Sequence, residues 1–328
     1  MNEPSFQIVM ATYNGANYVD LQIRSIVEQL AGGELLIHDD GSSDSTRLII
    51  QEWTRRDSRI KVLEDPAQGG ASANFSYLLE KITAPYVFCA DQDDIWIPGR
   101  VERMLRLIKF YEGVYGEDKP LLVHGDLTLI DEHGAVIAES MWTYQKLDPR
   151  WGDTFSLLLT QNVVTGCAMV VNRALLDRAL PVPKEASMHD HWLALVACGQ
   201  GKVVWDSQPV LLYRQHGKNE VGAKAYNTAL ILDRLKKLFE SSDRTREIKA
   251  ENKLYDMGLH YAKRYPSRPE SKQAIKFAQL KDTSLLLRPW VIFREKFFTK
   301  GIFRNLGWAI KPFRYAEAAR RAFARVTR

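Results

Sequence analysis

The sequence predicts an α/β protein with a mostly parallel central sheet flanked by helices. Short apolar segments alternate along the chain with segments in which apolar residues recur at helical spacing. Polar or glycine-containing turns follow the apolar segments. Strands and helices that alternate in this way favour a parallel sheet with right-handed crossovers. The chain has 328 residues, 45% hydrophobic and 26% charged, which allows a sizeable buried core.

The predicted elements divide the chain into a sheet domain and a helical extension. The predicted strands lie at residues 6–13, 34–46 (running into Asp39, Asp40 and Gly41), 59–65, 86–90, 121–130, 163–171 and 203–216. The predicted helices of the same domain lie at about 17–30, 46–56, 72–82 and 98–112. We expect this domain over residues 1–223, with halves at about 1–97 and 98–223, and a helical, charge-rich region over 224–328.

Polar residues gather where the first four predicted strands end. Thr12–Asn14 end the first strand and Asp39–Gly41 the second, while Gly69–Asn74 follow the third and Asp91–Asp94 the fourth. In open α/β sheets, ligands bind beyond the carboxyl ends of the strands. We therefore expect a ligand site along this edge of the sheet.

The segment "ADQDDIW" places three carboxylates within four positions, at Asp91, Asp93 and Asp94. A divalent cation would relieve their mutual repulsion, and Mg²⁺ and Mn²⁺ prefer hard oxygen ligands. Alternatively, the acidic turn caps the helix that begins at Pro98 by interacting with the helix dipole. These residues alone leave both functions open.

The motifs taken together resemble those of family 2 glycosyltransferases of the GT-A fold. "ATYNG", "HDDGSSDST", "ADQDDIW" and "SMHDHWLAL" follow one another in the order and spacing of that family, and the resemblance covers about residues 5–220. It implies a Rossmann-like GT-A domain, a nucleotide-sugar donor and a Mn²⁺ or Mg²⁺ cofactor. Residues 1–97 would then be the nucleotide-binding half and residues 98–223 the acceptor half.

The resemblance assigns nucleotide contacts to the first three strand ends. Thr12, Tyr13 and Asn14 would make the first contact with the nucleotide. Asp40 would accept a hydrogen bond from the pyrimidine ring N–H, which thymine and uracil both carry. Asn74 would either contact the nucleotide or cap the following helix.

The resemblance assigns the metal and the donor sugar to the acidic turn and the last strand. Asp93 would bind the cation directly, and His216, in "LLYRQHG", would complete its ligand set. Asp91 would lie near ribose or sugar hydroxyls. Asp94 would serve the donor sugar or, alternatively, the start of the next helix.

The resemblance also identifies Asp190, in "SMHDHWLAL", as the catalytic base that takes the acceptor proton. Its structural alternative is a helix N-cap. His189 and His191 flank it and would tune or orient it, unless they are ordinary histidines at a helix start. Trp192 would stack on a sugar or fill the core.

The predicted reaction is an inverting transfer of one sugar per encounter. Inversion needs one base and no covalent intermediate, and Arg214 and Lys218 would stabilise the leaving diphosphate. Processive relatives carry a Q-x-x-R-W-type segment and transmembrane helices, and the sequence after "SMHDHWLAL" has neither. We therefore expect a non-processive enzyme.

The preferred donor is dTDP-rhamnose. "ADQDDIW", "HDHW" and "LYRQHG" most resemble bacterial rhamnosyltransferase-type members, which implies L-rhamnose transfer in surface polysaccharide synthesis. A UDP-hexose donor stays open. A sugar-nucleotidyltransferase would show a glycine-rich basic signature near its N-terminus, which "ATYNGANYVD" lacks. A non-catalytic binding module on the same fold is the remaining alternative.

The C-terminal region carries the positive charge of the chain. The formal net charge is +5, and residues 301–328 contain seven basic residues against one acidic residue. From Leu285 onward, aromatic and basic residues mix, as in helices that lie in a membrane interface. We expect membrane contact and a lipid-linked saccharide acceptor; the alternative is a tail packed on the sheet domain. No recognised nucleic-acid motif accompanies the charge, so we expect no nucleic-acid partner.

Composition also predicts the compartment. The N-terminal segment "MNEPSFQIVMATYNG" lacks the basic start and apolar block of a signal peptide. No apolar stretch approaches the roughly 18 to 20 residues that span a bilayer. The three cysteines are widely spaced and suit a reducing environment. We expect a cytoplasmic protein at the inner face of a bacterial membrane.

Overall fold

The computed structural model describes residues 4–217, 244–284 and 286–299. Within these residues, nine strands form one sheet in the order β3-β2-β1-β4-β8-β6-β9-β5, and β7 pairs with β6. The strands are β1 (Phe6–Thr12), β2 (Gly33–Asp39), β3 (Ile60–Leu63), β4 (Tyr86–Ala90), β5 (Ile95–Trp96), β6 (Leu121–Ile130), β7 (Val136–Ala138), β8 (Met169–Asn172) and β9 (Lys202–Arg214).

Helices cover both faces of the sheet and continue into the C-terminal region. The described helices are α1 (Val19–Val27), α2 (Thr46–Arg56), α3 (Ala71–Glu80), α4 (Arg100–Tyr115), α5 (Met141–Gln145), α6 (Phe155–Thr160), α7 (Arg173–Ala179), α8 (His189–Gln200), α9 (Arg244–Arg264), α10 (Pro269–Gln279) and α11 (Arg288–Glu295). Three short 3₁₀ turns lie at Pro149–Asp153, Gly166–Ala168 and Leu280–Asp282.

The parallel part of the sheet is the half that the sequence predicted most clearly. β1 pairs in parallel with β2 and β4, and β2 pairs in parallel with β3. β6 and β9 are also parallel, but β8 runs antiparallel between β4 and β6. The carboxyl ends of β1, β2 and β4 therefore meet at one edge, and the antiparallel strand brings the second half of the chain beside them.

The predicted strand at 163–171 is wrong in its first part. The strand begins only at Met169, after the 3₁₀ turn Gly166–Ala168. Val163 and Val164 are buried but line a cavity instead of joining the ladder. An apolar run is buried in either case, so hydrophobicity alone did not separate a buried loop from a strand.

Alternation of side chains along β1 builds one core on each face of the sheet. Ile8 and Met10 belong to the apolar cluster that includes Ile23 of α1, whereas Val9 belongs to the cluster that includes Phe75 of α3. Successive side chains of a strand point to opposite faces, so a central strand covered on both sides must be apolar at every position.

The described part of the C-terminal region packs on the sheet domain. Tyr261 of α9 is fully buried, with its ring 4.8 Å from the ring of Phe155 in α6. The guanidinium of Arg264 donates to the carbonyl oxygens of Ala179 at 3.1 Å and Pro181 at 2.8 Å. Among the described residues, no helix is long and apolar enough to cross a bilayer.

Candidate active site

A cavity of about 930 Å³ opens at the carboxyl ends of β1, β2 and β4. Loops from both halves of the sheet domain line it. The sequence-predicted site residues among its lining are Thr12, Tyr13, Asp40, Asn74, Asp91, Asp93 and Asp190. Residues that are far apart in the sequence are thus brought to one cleft, at the edge of the sheet where we expected the ligand.

The end of β1 is fastened to the end of β2 by Asp39. Its carboxylate accepts from Thr12 Oγ1 at 2.9 Å, from the Ser42 amide at 2.8 Å and from Arg47 Nε at 2.7 Å. Burial by itself raises the pKa of Asp39, but the hydrogen bonds from Ser42, Arg47 and Thr12 together bring it below the ordinary value. Asp39 therefore organises the loop that presents Asp40.

Asn14 supports the same loop from the other side. Its backbone N–H donates to Ser42 Oγ at 2.8 Å, and its side-chain Oδ1 accepts from the Ser43 amide at 2.8 Å. Asn14 is not among the residues that line the cavity. Its contacts orient the cleft wall, and its predicted nucleotide contact remains a prediction.

Asp40 lies at the edge of the cavity, where it holds the glycine loop in place. Its carboxylate accepts backbone hydrogen bonds from Gln68 at 2.5 Å, Gly69 at 3.1 Å and Gly70 at 2.6 Å. The two glycines have φ angles of +87° and +113°, which residues with a side chain rarely adopt. The loop can therefore approach the carboxylate closely only because glycine occupies both positions.

Asn74 lies inside helix α3 and not at its cap, which is Gly70. The helix-cap alternative for Asn74 is therefore wrong. Its amide donates to the His38 carbonyl oxygen at 3.1 Å and its Oδ1 lies 2.8 Å from His38 Nδ1. His38 was not among the predicted site residues, although a histidine inside an otherwise apolar strand indicates a buried polar partner.

Gln92 is a second residue that sequence analysis missed. It accepts from the Tyr13 amide at 2.8 Å and donates to the Tyr13 carbonyl oxygen at 2.9 Å. A Cβ on Gly15 would lie only 2.2 Å from Gln92 Oε1, so the turn "NG" must end in glycine to admit this side chain. The amide thus ties the acidic turn to the end of β1.

Asp93 and His216 form the pair that the sequence predicted as metal ligands. His216 Nε2 lies 2.8 Å from Asp93 Oδ2, and the histidine ring stacks on Tyr18 with centroids 4.9 Å apart. Both side chains are largely buried. The carboxylate oxygen and the imidazole nitrogen are close enough for both to bind one divalent cation.

Asp94 does not line the cavity. Its predicted contact with the donor sugar would require it to do so. It is 1% exposed and accepts from the Arg214 amide at 3.2 Å. Burial raises the pKa of Asp94 well above its ordinary value, and the nearby charges of Asp93 and Asp91 raise it further. Ligand atoms of Asp91, Asp94 and Cys167 lie within 4.8 Å of one another beneath the acidic turn.

Arg214 is likewise placed behind the acidic turn and not in the cavity. Its guanidinium is 5.0 Å from the Tyr18 ring centroid and donates to the carbonyl oxygens of Asp93, Asp131 and Glu132 at 3.0, 3.3 and 3.2 Å. A buried guanidinium needs such acceptors. The predicted diphosphate contact of Arg214 therefore has no support from its position, and Lys218 lies outside the described residues.

Asp190 is the second residue of α8 and faces the cavity from the acceptor half. The N-cap of the helix is Met188, so the capping alternative is wrong. Burial raises the pKa of Asp190 to about 6, although its carboxylate accepts from the amides of His191 at 2.6 Å and Gly166 at 3.1 Å. A carboxyl group with this pKa is well suited to accept a proton near neutral pH.

The residues beside Asp190 differ in their surroundings. Both ring nitrogens of His191 have protein partners: Nδ1 lies 2.8 Å from Ser187 Oγ, and Nε2 lies 2.6 Å from the Leu158 carbonyl oxygen. These contacts give His191 a structural function. Trp192 is fully buried and donates to the Ala179 carbonyl oxygen at 2.8 Å, so it fills the core and does not stack on a sugar.

Sequence comparison identifies relatives of the N-terminal half most clearly. Residues 7–117 match the family model described as "Glycosyl transferase family 2". The chain is 29% identical over 187 residues to a UDP-Glc:alpha-D-GlcNAc-diphosphoundecaprenol beta-1,3-glucosyltransferase of Escherichia coli, covering 56% of this chain and 64% of that protein. It is 26% identical over 225 residues to a dTDP-rhamnosyl transferase of Shigella flexneri, covering 65% and 74%.

Solved structures share the architecture over nearly the whole chain. TarS residues 1–349 of S. aureus, in complex with UDP-GlcNAc, align with a TM-score of 0.53 and 16% identity over 97% of this chain and 92% of that one. A mannosyltransferase of Pyrobaculum calidifontis, in complex with GDP-Man and Mn²⁺, aligns with a TM-score of 0.52 and 15% identity over 90% and 74%. Residues 7–117 therefore match glycosyltransferase family 2, and the chain adopts the GT-A fold, with helices in the described part of its C-terminal region.

Proposed function

We propose that the protein is an inverting, metal-dependent and non-processive glycosyltransferase that uses a nucleotide-sugar donor. The observation that carries the proposal is the shared cavity of Asp40, Asp93 and Asp190. These carboxylates come from three separate segments and serve three different purposes. In this proposal Asp40 contacts the nucleotide, and Asp93 with His216 would hold the cation at the diphosphate. Asp190 takes the proton of the acceptor.

Asp190 performs the proton transfer in this proposal. Its carboxylate takes the proton of an acceptor hydroxyl as the oxygen bonds to the anomeric carbon of the donor. The bond between that carbon and the diphosphate oxygen breaks, and the electron pair leaves with the nucleoside diphosphate. The amides of Gly166 and His191 hold the carboxylate in one orientation, which positions it for this step.

Asp93, which lines the cavity with Asp91, and His216, which lies behind the lining and contacts Asp93, are the residues that would hold Mn²⁺ or Mg²⁺. The bound cation would neutralise the negative charge of the leaving diphosphate. The mixed oxygen and nitrogen donors support this function. Asp94 and Arg214 act from behind the turn, where they keep it in a conformation that presents Asp93.

The proposed donor is dTDP-rhamnose, and the alternative is a UDP-hexose. The first is supported by similarity to the dTDP-rhamnosyl transferase of Shigella flexneri, and the second by similarity to the UDP-Glc-dependent glucosyltransferase of Escherichia coli. Asp40 serves both donors equally, since thymine and uracil carry the same ring N–H. The proposed contact of Asp40 thus favours a pyrimidine nucleotide. The transferred sugar, and not the base, then distinguishes dTDP-rhamnose from a UDP-hexose.

The proposed acceptor is a lipid-linked saccharide of bacterial surface polysaccharide synthesis, met at the inner face of the cell membrane. Leu286, Leu287, Trp290 and Phe293, at and before α11, are large apolar residues that lie exposed, while Ile292 anchors the helix in the core. Exposed apolar and aromatic side chains on a short helix suit the membrane interface. The basic residues 301–328, to which the sequence also assigned this contact, lie outside the described residues.

The donor can be tested by thermal shift followed by transfer. We expect dTDP or UDP with Mn²⁺, but not GDP, to raise the melting temperature, because a ligand that binds only the native state stabilises it. Transfer is then measured with the matching nucleotide sugar and a pyrophosphate-linked saccharide acceptor. Binding without turnover would favour a binding module, and release of pyrophosphate from a nucleoside triphosphate and a sugar phosphate would favour a nucleotidyltransferase.

A further inference from the structure

His189 is a buried histidine whose ring nitrogens have no protein partner. Its side chain is 2% exposed, and neither Nδ1 nor Nε2 makes a hydrogen bond within the described residues. Buried polar groups in proteins are almost always hydrogen-bonded, so such a ring is expected to have a partner that is not part of the protein.

The ring of His189 is also held firmly at the wall of the cavity. It stacks on Phe75 with centroids 4.2 Å apart and an interplanar angle of 26°. His189, Phe75 and Gly166 all line the cavity. A Cβ on Gly166 would lie 2.9 Å from His189 Nε2, so glycine at this position leaves room for the ring. Packing thus fixes the plane of an imidazole that has unused hydrogen-bonding capacity.

Two other buried histidines, His191 and His124, each lack one of the two features that His189 combines. His191 lines the same cavity but has protein partners at both nitrogens, Ser187 and Leu158. His124 of β6 is as buried as His189 and has no partner at either nitrogen, but it does not line the cavity. Only His189 combines free ring nitrogens with a place in the cavity, among the described histidines.

We propose that His189 is a specificity-determining residue that hydrogen-bonds a hydroxyl of the saccharide bound beside Asp190, an inference that rests on the proposed function. Burial lowers the pKa of His189 to about 3, so the ring is neutral near pH 7. A neutral imidazole carries one donor and one acceptor, which matches a sugar hydroxyl.

The test compares His189→Phe, which keeps the stacking on Phe75, with the control His124→Phe. We expect His189→Phe to lower kcat/KM about 10-fold, the usual effect of one neutral hydrogen bond. The affinity for dTDP or UDP alone should stay unchanged. The acid limb of the pH profile should also stay in place, because His189 does not act through Asp190. His124→Phe should leave kcat/KM as in the wild type.

Monodeoxy substrates identify the hydroxyl and its source. Removing the contacted hydroxyl should reduce kcat/KM of the wild type about 10-fold but leave that of His189→Phe unchanged. The deoxy nucleotide sugars and the deoxy acceptors form separate arms, so the responding arm shows which substrate His189 contacts. If every deoxy substrate affects both enzymes equally, His189 contacts no hydroxyl and the inference is wrong.

Further outcomes separate this inference from the proposed function. A wild-type protein that transfers no sugar would contradict the function, and the inference would fall with it. Wild-type transfer with unchanged kcat/KM in His189→Phe would contradict the inference alone.

If His189→Phe does not fold, ¹⁵N resonances of the wild-type imidazole, assigned with His189→Asn, serve instead. They should shift when nucleotide sugar or acceptor is added, and unshifted resonances at saturation would refute the contact.

Discussion

His216 Nε2 lies 2.8 Å from the carboxylate of Asp93, although the two residues are 123 positions apart. Antiparallel pairing of β5 with β9 brings them together, since Ile95 faces Leu212 in the register of these strands. Tyr18 then covers the histidine ring from the N-terminal half. Because the pair depends on three segments of the chain, it can form only in the folded protein.

Asp93→Ala should abolish metal-dependent turnover and leave the fold intact. The substitution removes the carboxylate that would bind the cation, and Asp93 lines the cavity and is not part of the apolar core. The measurements are donor turnover over a range of Mn²⁺ concentrations and the melting temperature. Asp65→Ala, at a carboxylate outside the cavity lining, is the control. Turnover like that of the wild type in Asp93→Ala would remove Asp93 from the ligand set.

Asp190→Asn should bind the donor but lose transfer. The amide cannot take the acceptor proton, and the loss of a general base typically costs about 10²- to 10⁴-fold in rate. Titration calorimetry with the nucleoside diphosphate and single-turnover transfer separate the two effects. Asp177, which is exposed on α7 and does not line the cavity, provides the control substitution Asp177→Asn. Transfer by Asp190→Asn near the wild-type rate would mean that another carboxylate is the base.

Transfer should decline as the pH falls through about 6. Burial raises the pKa of Asp190 to about 6, and the base works only in its deprotonated form. Log kcat/KM should therefore rise with pH below about 6 and level off above it, when measured at saturating Mn²⁺. A plateau that continues down to pH 4.5 would exclude Asp190 as the titrating group.

Gln92→Ala should weaken donor binding more than it weakens the fold. The substitution removes two hydrogen bonds to the Tyr13 backbone, each of which contributes about 0.5 to 1.5 kcal/mol. Tyr13 lines the cavity, so the loosened turn should lower the affinity for the nucleoside diphosphate. Calorimetric titration tests the affinity, and urea unfolding tests the stability. Gln51→Ala, on the exposed side of α2, should change neither; an unchanged affinity in Gln92→Ala would refute the link.

Replacing Trp290 and Phe293 by serine should reduce binding to vesicles that contain phosphatidylglycerol. Both side chains are exposed, so their loss removes apolar area available to the bilayer while the core stays intact. Vesicle co-sedimentation measures the binding. Phe110→Ser, at an equally exposed aromatic residue on α4, is the control. If the double variant sediments like the wild type, α11 does not contact the membrane.

The sequence alone determined the α/β class, the parallel β1 to β4 and the resemblance to family 2 glycosyltransferases, which the family model matches over residues 7–117. These features depend on local patterns: apolar strands alternate with helices, and short polar motifs follow each strand. The resemblance assigned Asp93 after β4 and His216 after β9 to one metal site. The two side chains lie 2.8 Å apart, and their metal binding stays a prediction.

Only the tertiary structure decided which polar residues face the cavity and which support it. Asp94 and Arg214 were predicted to touch the donor, but the packing of β9 behind the acidic turn buries both. Gln92 and His38 contact residues from other segments of the chain, Tyr13 after β1 and Asn74 in α3. The physical reason is that a side chain's burial and hydrogen-bond partners depend on long-range contacts, which local sequence patterns do not contain.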